Sequence, residues 1–240
     1  MNRWQNFKKR YRLFRNWYKT VVPFNRLFHR PTLLRTRNGF NVWVRSVFSG
    51  DLTVVEGVLV LNEYRLNTLG LPENAVIYDL GANIGTFSLA VKKVCPQARI
   101  VAYEPIKENF FLLERNVPFA ELHQEAVAGH TGAVSFDFNE QPHSHKMAIG
   151  GNLMLPARSL TDLITDQTVD LLKLDIEGAE FEVIEETDPA LFKRIKRIVM
   201  ETHGRGNWGE EKLRSLGYNT SLFWQQEGKN ANAIIYGWHN

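Results

Sequence analysis

The chain of 240 residues has a single cysteine, Cys95. No intramolecular disulfide and no cysteine-rich zinc cluster can form from it. A lone thiol fits a reducing compartment, so a cytoplasmic location is expected. No run of about 18 apolar residues offers a membrane span, and the first residues lack the apolar segment of a secretory signal. No repeat is present, which removes collagen-like, coiled-coil and low-complexity readings. Acids are missing from residues 1–50, which hold 12 of the 29 Lys and Arg; the other 17 basic residues face 26 acids, a net −9. A basic arm thus precedes an acidic body. With 44% hydrophobic and 12% aromatic residues, that body can bury a core, so disorder is excluded as its main state.

The arm carries Trp4, Phe7, Tyr11, Phe14 and Tyr18 at spacings of three and four, one stripe of a helix that Pro23 ends. Lys8, Lys9, Arg10, Arg12, Arg15 and Lys19 fill most of its other positions. Two readings stand: the stripe packs on the body, or residues 1–30 lie peripherally on an anionic membrane face with the aromatics at headgroup depth. Little else supports nucleic acid as the partner. Residues 32–47 alternate around Asn38-Gly39 and predict a hairpin with a two-residue turn. Ser49 or Asp51 is the expected cap of a helix reaching about Tyr64.

From residue 75 strands and helices alternate. Strands are expected at Ala75–Leu80, Arg99–Tyr103, Leu122–Val127, Ala133–Phe138, Val169–Leu174 and Arg197–Met200, with two closing strands near Thr220–Trp224 and Ala233–Gly237. Helices are expected at Ile84–Val94, Lys107–Asn116, from Ala179, and at Glu210–Leu216. Asn139–Asn152 reads as a loop. This order predicts a mostly parallel sheet covered on both faces, with an antiparallel pair at one edge. The expected division is an arm and hairpin over 1–50 and one domain over 51–240.

Val76-Ile77-Tyr78-Asp79-Leu80-Gly81-Ala82-Asn83-Ile84-Gly85 is a strand, an acid, a glycine loop and a helix start. Gly81 lets the backbone approach a ligand closely, Gly85 lets the helix pack on the strand, and the helix start offers free amides. The loop is G-x-x-x-G rather than the G-x-G-x-x-G of dinucleotide sites. Its acid suits an amino-acid moiety better than a pyrophosphate. Glu104, in Tyr103-Glu104-Pro105, ends the next strand about 20 residues on, where an acid can take both ribose hydroxyls. A third strand ends in Asp175-Ile176-Glu177-Gly178-Ala179-Glu180 and a fourth in Met200-Glu201-Thr202-His203. Both acid groups fall at the sheet edge where open α/β sheets bind ligands.

The glycine loop with its distal acid resembles the class I S-adenosylmethionine methyltransferases. "YDLGANIGTFS", "AYEP", "LLKLDIEGAEFEVI" and "METHG", in that order over roughly residues 50–237, resemble the FkbM-type family among them. The resemblance implies a Rossmann-like seven-stranded sheet, S-adenosylmethionine as cofactor, and methylation of a hydroxyl on a sugar, glycan, glycolipid or natural product. It implies that Asp79, Gly81, Asn83 and Gly85 line the methionine end and that Glu104, beside Pro105, holds the ribose. Glu125, Ala126 and Val127 would flank the adenine, and Asp175 would close the pocket near the methyl group. Amine-methylating nucleic-acid enzymes carry an Asn/Asp-Pro-Pro-aromatic motif where this chain reads Asp175-Ile176-Glu177-Gly178. Cys95 lies at the far end of the first cofactor helix, away from a cytosine nucleophile's place.

Independently of family, a hydroxyl attacking an electrophilic methyl group needs a base. His203 fits by its ordinary pKa, with Asp175, Glu201, Glu177 and Glu180 as alternatives. Catalysis without metal is expected. A divalent cation on Asp175, Glu201 and His203 is the other route. The loop from Gln141 to Lys146 is read as a lid or a solvated surface loop, and Trp208 and Trp224 as sugar platforms or core. The competing functional reading is a cofactor-binding module without catalysis, held at a membrane by its arm.

Overall fold

The computed structural model describes residues 3–20, 31–45, 50–137, 146–147, 153–203, 206–225 and 232–239. Its frame is a seven-stranded sheet. The strands are β3 (Val76–Leu80), β4 (Arg99–Tyr103), β5 (Glu121–His123), β10 (Leu171–Leu174), β11 (Arg197–Thr202), β12 (Asn219–Gln225) and β13 (Ala233–Trp238). Their spatial order is β12-β13-β11-β10-β3-β4-β5. β5, β4, β3, β10 and β11 run parallel, whereas β13 is antiparallel to both β11 and β12. This is the mostly parallel sheet with an antiparallel pair at one edge that the alternation predicts, and the Rossmann-like seven-stranded sheet that the resemblance implies.

Side-chain alternation sends successive residues to opposite faces. Ile77, Leu171 and Val199 join Phe87 and Val91 of α3 (Thr86–Val94) and Leu112 of α4 (Lys107–Asn116) in one core. Tyr78, Leu80, Leu172, Leu174, Ile198 and Met200 face the other. There they meet α5 (Leu160–Leu163), α6 (Glu180–Glu186), α7 (Pro189–Phe192) and α8 (Gly206–Ser215). Position i and i+2 share a face, so Asp79, Lys173, Asp175 and Glu201 all lie on the α3 side, at or near the carboxyl ends of their strands.

Several elements differ from the sequence expectation, each for a local reason. The arm's helix, α1 (Arg3–Leu13), stops at Leu13 because Phe14 turns into a bridge with Thr36 beside β1 (Thr32–Arg35). Phe14 is fully buried and shares a core with Leu34, Val42, Val44 and Ile77, while Tyr11 and Tyr18 stay half exposed. The single packed stripe is therefore broken. Replacing Phe14 with Ala should cost about 3–5 kcal/mol, since an aromatic core deletion leaves a cavity. A thermal melt unchanged by that substitution would show that the arm is not part of the fold. Pro23 lies outside the described residues.

The hairpin pairs β1 antiparallel with β2 (Asn41–Val44). Its loop has three residues rather than two, because Thr36 N–H donates to the Phe40 carbonyl at 2.9 Å and Gly39 takes φ +98°. Ser49 is outside the described residues, and Asp51 does not cap. It is buried, accepts from Arg45 N–H at 2.7 Å, and pairs with the Arg45 guanidinium. Its helix, α2 (Asp51–Val54), widens into a π-helical turn over Val55–Val60 and ends before Tyr64.

The stretch expected as one strand over 122–127 is two. The chain leaves β5 at His123 and enters a second, four-stranded sheet in the order β6-β9-β7-β8: Ala126–Ala128, Leu153–Ser159, Gly132–Asp137 and Lys146–Met147. β8 falls within the expected loop; its remaining residues are outside the described ones. Cys95 is buried after α3, its thiol donating to the Pro72 and Glu73 carbonyls at 3.0 Å. Among the described residues no helix is long and apolar enough to cross a membrane.

Candidate active site

A cavity of about 300 Å³ opens over the carboxyl ends of β4, β3, β10 and β11. Gly81 forms its floor with φ +76°; a Cβ there would overlap the Asp175 carbonyl oxygen, so only glycine lets the two strand ends lie this close. Asn83 follows with φ +51°, and its N–H donates to Glu104 Oε2 at 2.9 Å. Glu104 Oε1 accepts from Ile106 N–H at 2.9 Å and from Asn109 Nδ2 at 3.1 Å. Burial raises the Glu104 pKa, and these three donors oppose the rise. A carboxylate has about four lone-pair directions, so one is left for a ligand hydroxyl.

At the other end, Glu180 is fully buried at the head of α6. The chain doubles back through Glu177 (φ +58°) and Gly178, so that Glu180 accepts from Ile176 N–H at 2.8 Å and Gly178 N–H at 3.0 Å. His203 Nδ1 donates to its Oε1 at 3.1 Å. His203 Nε2 then faces Glu177 at 3.6 Å, Glu201 at 3.9 Å and Asp175 at 4.0 Å. Burial works to lower the His203 pKa; the hydrogen bond and charge of Glu180, with Asp175 and Glu201, overcome it and push it up to about 9. Glu201 is pushed up to about 8, first by burial and then by Asp175.

Between the two ends sits Lys173, almost wholly buried in β10. Its Nζ donates to the Gly81 carbonyl at 2.7 Å and lies 3.3 Å from Asp79 and 3.4 Å from Asp175. Burial disfavours its charge, but Asp175 and Asp79 outweigh that and hold it protonated. Tyr64 donates to Asp175 Oδ2 at 3.1 Å from the far side; burial, then the charge of Asp175, holds its phenol protonated.

The sequence pattern of the family described as "Methyltransferase FkbM domain" matches residues 79–222, more than half of the chain. The chain belongs to the FkbM methyltransferase family. "Methyltransferase sdnD" of Sordaria araneosa is 25% identical over 186 residues, covering 60% of this chain and 72% of that protein. "AMB antimetabolite synthetase AmbE" of Pseudomonas aeruginosa is 27% identical over 225 residues, 70% of this chain. The chain spans only 11% of the synthetase's length. The solved methyltransferase FkbM of Methylobacillus flagellatus shares the fold, with a TM-score of 0.53 at 17% identity over 73% of this chain and 46% of that one.

In this FkbM methyltransferase, Gly81, Asn83, Glu104, Pro105, Glu125, Ala126, Val127, Asp175, Glu201 and His203 all line the cavity. Asp79 and Gly85 do not. Asp79 lies behind the wall, fully buried, accepting from Ser88 Oγ at 2.6 Å and paired with Lys173. Gly85 precedes α3 and packs where a Cβ would press on Leu113 of α4 and on Val117 just beyond it. Trp208 packs on Phe181, with ring centroids 4.6 Å apart, away from the cavity. Residues 141–145 and the Trp224 side chain lie outside the described ones.

The sequence reading gave no role to Lys173, Glu63 or Tyr64. Lys173 carried a signal: a lysine inside an apolar strand, two positions before Asp175, must share that acid's face. Glu63 and Tyr64 carried none, because a contact across 111 residues of chain leaves no local pattern.

The donors present fit S-adenosylmethionine. Asn83 Oδ1 is buried without a hydrogen-bond partner among the described residues. The α3 start has no side-chain cap, which leaves its first amides free. As for a cation, Asp175, Glu180 and His203 bring ligand atoms within 4.8 Å of one another. Glu180, however, already accepts from two backbone amides and from His203.

Proposed function

We propose that this methyltransferase uses S-adenosylmethionine to methylate a hydroxyl of a sugar, glycan, glycolipid or natural product. The observation that carries this is the continuity of the cavity: one space joins the Asn83–Glu104 end to His203 and its carboxylates. S-adenosylmethionine supplies an electrophilic methyl group. Asn83, the α3 amides and Glu104 would hold it, Glu104 through its remaining lone pair. Glu125, Ala126 and Val127 would flank the base.

The acceptor hydroxyl needs its proton removed as its oxygen attacks, within reach of a fixed base. His203 is that base. Its Nδ1 is committed to Glu180, which fixes the tautomer and aims Nε2 into the cavity. Its raised pKa makes it a strong base that is mostly protonated at neutral pH, so deprotonation precedes each turnover. Asp175 and Glu201 stabilise the imidazolium that results.

Methyl-labelled S-adenosylmethionine presented with sugars, glycolipids and polyketides should place the label on an oxygen as an ether. Label on nitrogen or carbon would contradict the reaction class. Bound cofactor with no transfer to any acceptor would favour the module without catalysis. Glu104→Ala should weaken cofactor binding by about 1–3 kcal/mol, because it leaves the ribose hydroxyl without its acceptor and releases the Asn83 amide that Glu104 holds in the loop. Wild-type affinity in that variant, read by calorimetry, would remove the ribose assignment.

A further inference from the structure

Among the described residues, the transfer end of the cavity gathers more carboxyl groups than cations. Glu63, Asp175, Glu177, Glu180 and Glu201 gather around it; among the described residues Lys173 pairs with Asp175, and His203 faces Asp175, Glu177, Glu180 and Glu201. Lys173 is turned down onto the Gly81 carbonyl and Asp79, and His203 is taken by Glu180. S-adenosylmethionine, with an ammonium, a sulfonium and a carboxylate, brings one net positive charge.

Among the described residues no Lys or Arg stands within ion-pair distance of Glu63 or Glu201, although both line the cavity. Glu63 is pushed up to about 7, first by burial and then by Asp175, while Glu201 reaches about 8 for the same two reasons. Each is thus a carboxyl group that takes up a proton unless a cation stands beside it. The Glu63 carboxylate packs over Gly57, which has no side chain to displace it.

We propose that the acceptor is an amino alcohol, in which the hydroxyl to be methylated lies beside a protonated amine held by Glu63 and Glu201. This rests on the methyltransferase reading above and narrows its substrate class. A uronic acid or a sugar phosphate would add charge of the same sign to a partly dry site, which is costly. A neutral polyol would leave the two carboxylates without a counter-charge. An ammonium supplies it and leaves His203 as the proton acceptor.

The test compares two near-isosteric probes, serinol (2-amino-1,3-propanediol) and glycerol. Each is titrated near neutral pH into protein saturated with S-adenosylhomocysteine and followed by NMR. Serinol should bind about tenfold more tightly than glycerol, about 1.4 kcal/mol for an ion pair whose attraction is largely offset by desolvation. Glu63→Gln should reduce that advantage to under about threefold. Glu201→Gln should do the same, and it stands in should Glu63→Gln fail to fold. Equal affinity for the two probes, no binding of either, or a preference that survives both substitutions overturns the proposal. Failure of the protein to take up S-adenosylhomocysteine would overturn the cofactor reading and this proposal together.

Discussion

Lys173→Met should destabilise the protein by about 3–5 kcal/mol, the range for removing one partner of a buried ion pair. The arrangement leaves little room for a milder result. Asp79 is fully buried, and without Lys173 its described partner is the Ser88 hydroxyl alone. Lys173 also holds the glycine loop down through the Gly81 carbonyl, so cofactor affinity should fall with stability. For a domain of this size the loss corresponds to roughly 6–20 °C in Tm. Asp79→Leu combined with Lys173→Met should recover part of the loss, because the unpaired buried charge disappears with the acid. A Tm within a degree or two of wild type for Lys173→Met alone would mean that the Lys173–Asp79–Asp175 bridge does not hold the sheet edge together.

His203→Gln should lower the rate of methyl transfer by about 10²–10⁴, the usual contribution of a positioned general base, while S-adenosylhomocysteine still binds. The pH dependence gives the sharper reading. His203 titrates at about 9, and only its neutral form accepts a proton. The wild-type rate should therefore climb about tenfold per pH unit through neutrality and level off near pH 9. A limb levelling near pH 8, unchanged by His203→Gln, would assign the base to Glu201 instead. The same shift has a consequence for stability. A histidine whose folded pKa is raised stabilises fully below its unfolded value, and that contribution is lost as pH rises through the folded one. The His203–Glu180 contribution is thus complete below about 6.5 and gone above about 9.

The sheet was legible in the sequence because parallel strands buried on both faces read as apolar runs, and because each run ends in acids or glycine. Glu104, Asp175, Glu201 and His203 reached the cavity for the same reason: a strand's last residues fall at the edge where helices begin. Legibility failed where burial and distant contacts decide the outcome. Asp79 has the same local pattern as a ligand-facing acid, yet its side chain turns inward onto Lys173 and Ser88. Gly85 reads as a packing glycine at the helix start; it does pack, but its missing side chain makes room for Leu113 and Val117 and not for a ligand. The arm's stripe reads as one helix because spacing cannot show that Phe14 gains more by bridging to Thr36 and entering the core than by continuing the helix. The second sheet is built from short strands whose partners lie up to some 30 residues away, beyond any local periodicity.

Calorimetric titration of the wild-type protein with S-adenosylhomocysteine tests the central claim most directly. The cavity between Asn83–Glu104 and His203 predicts saturable one-to-one binding with a Kd of order micromolar. No heat of binding up to millimolar ligand from a folded protein would contradict it.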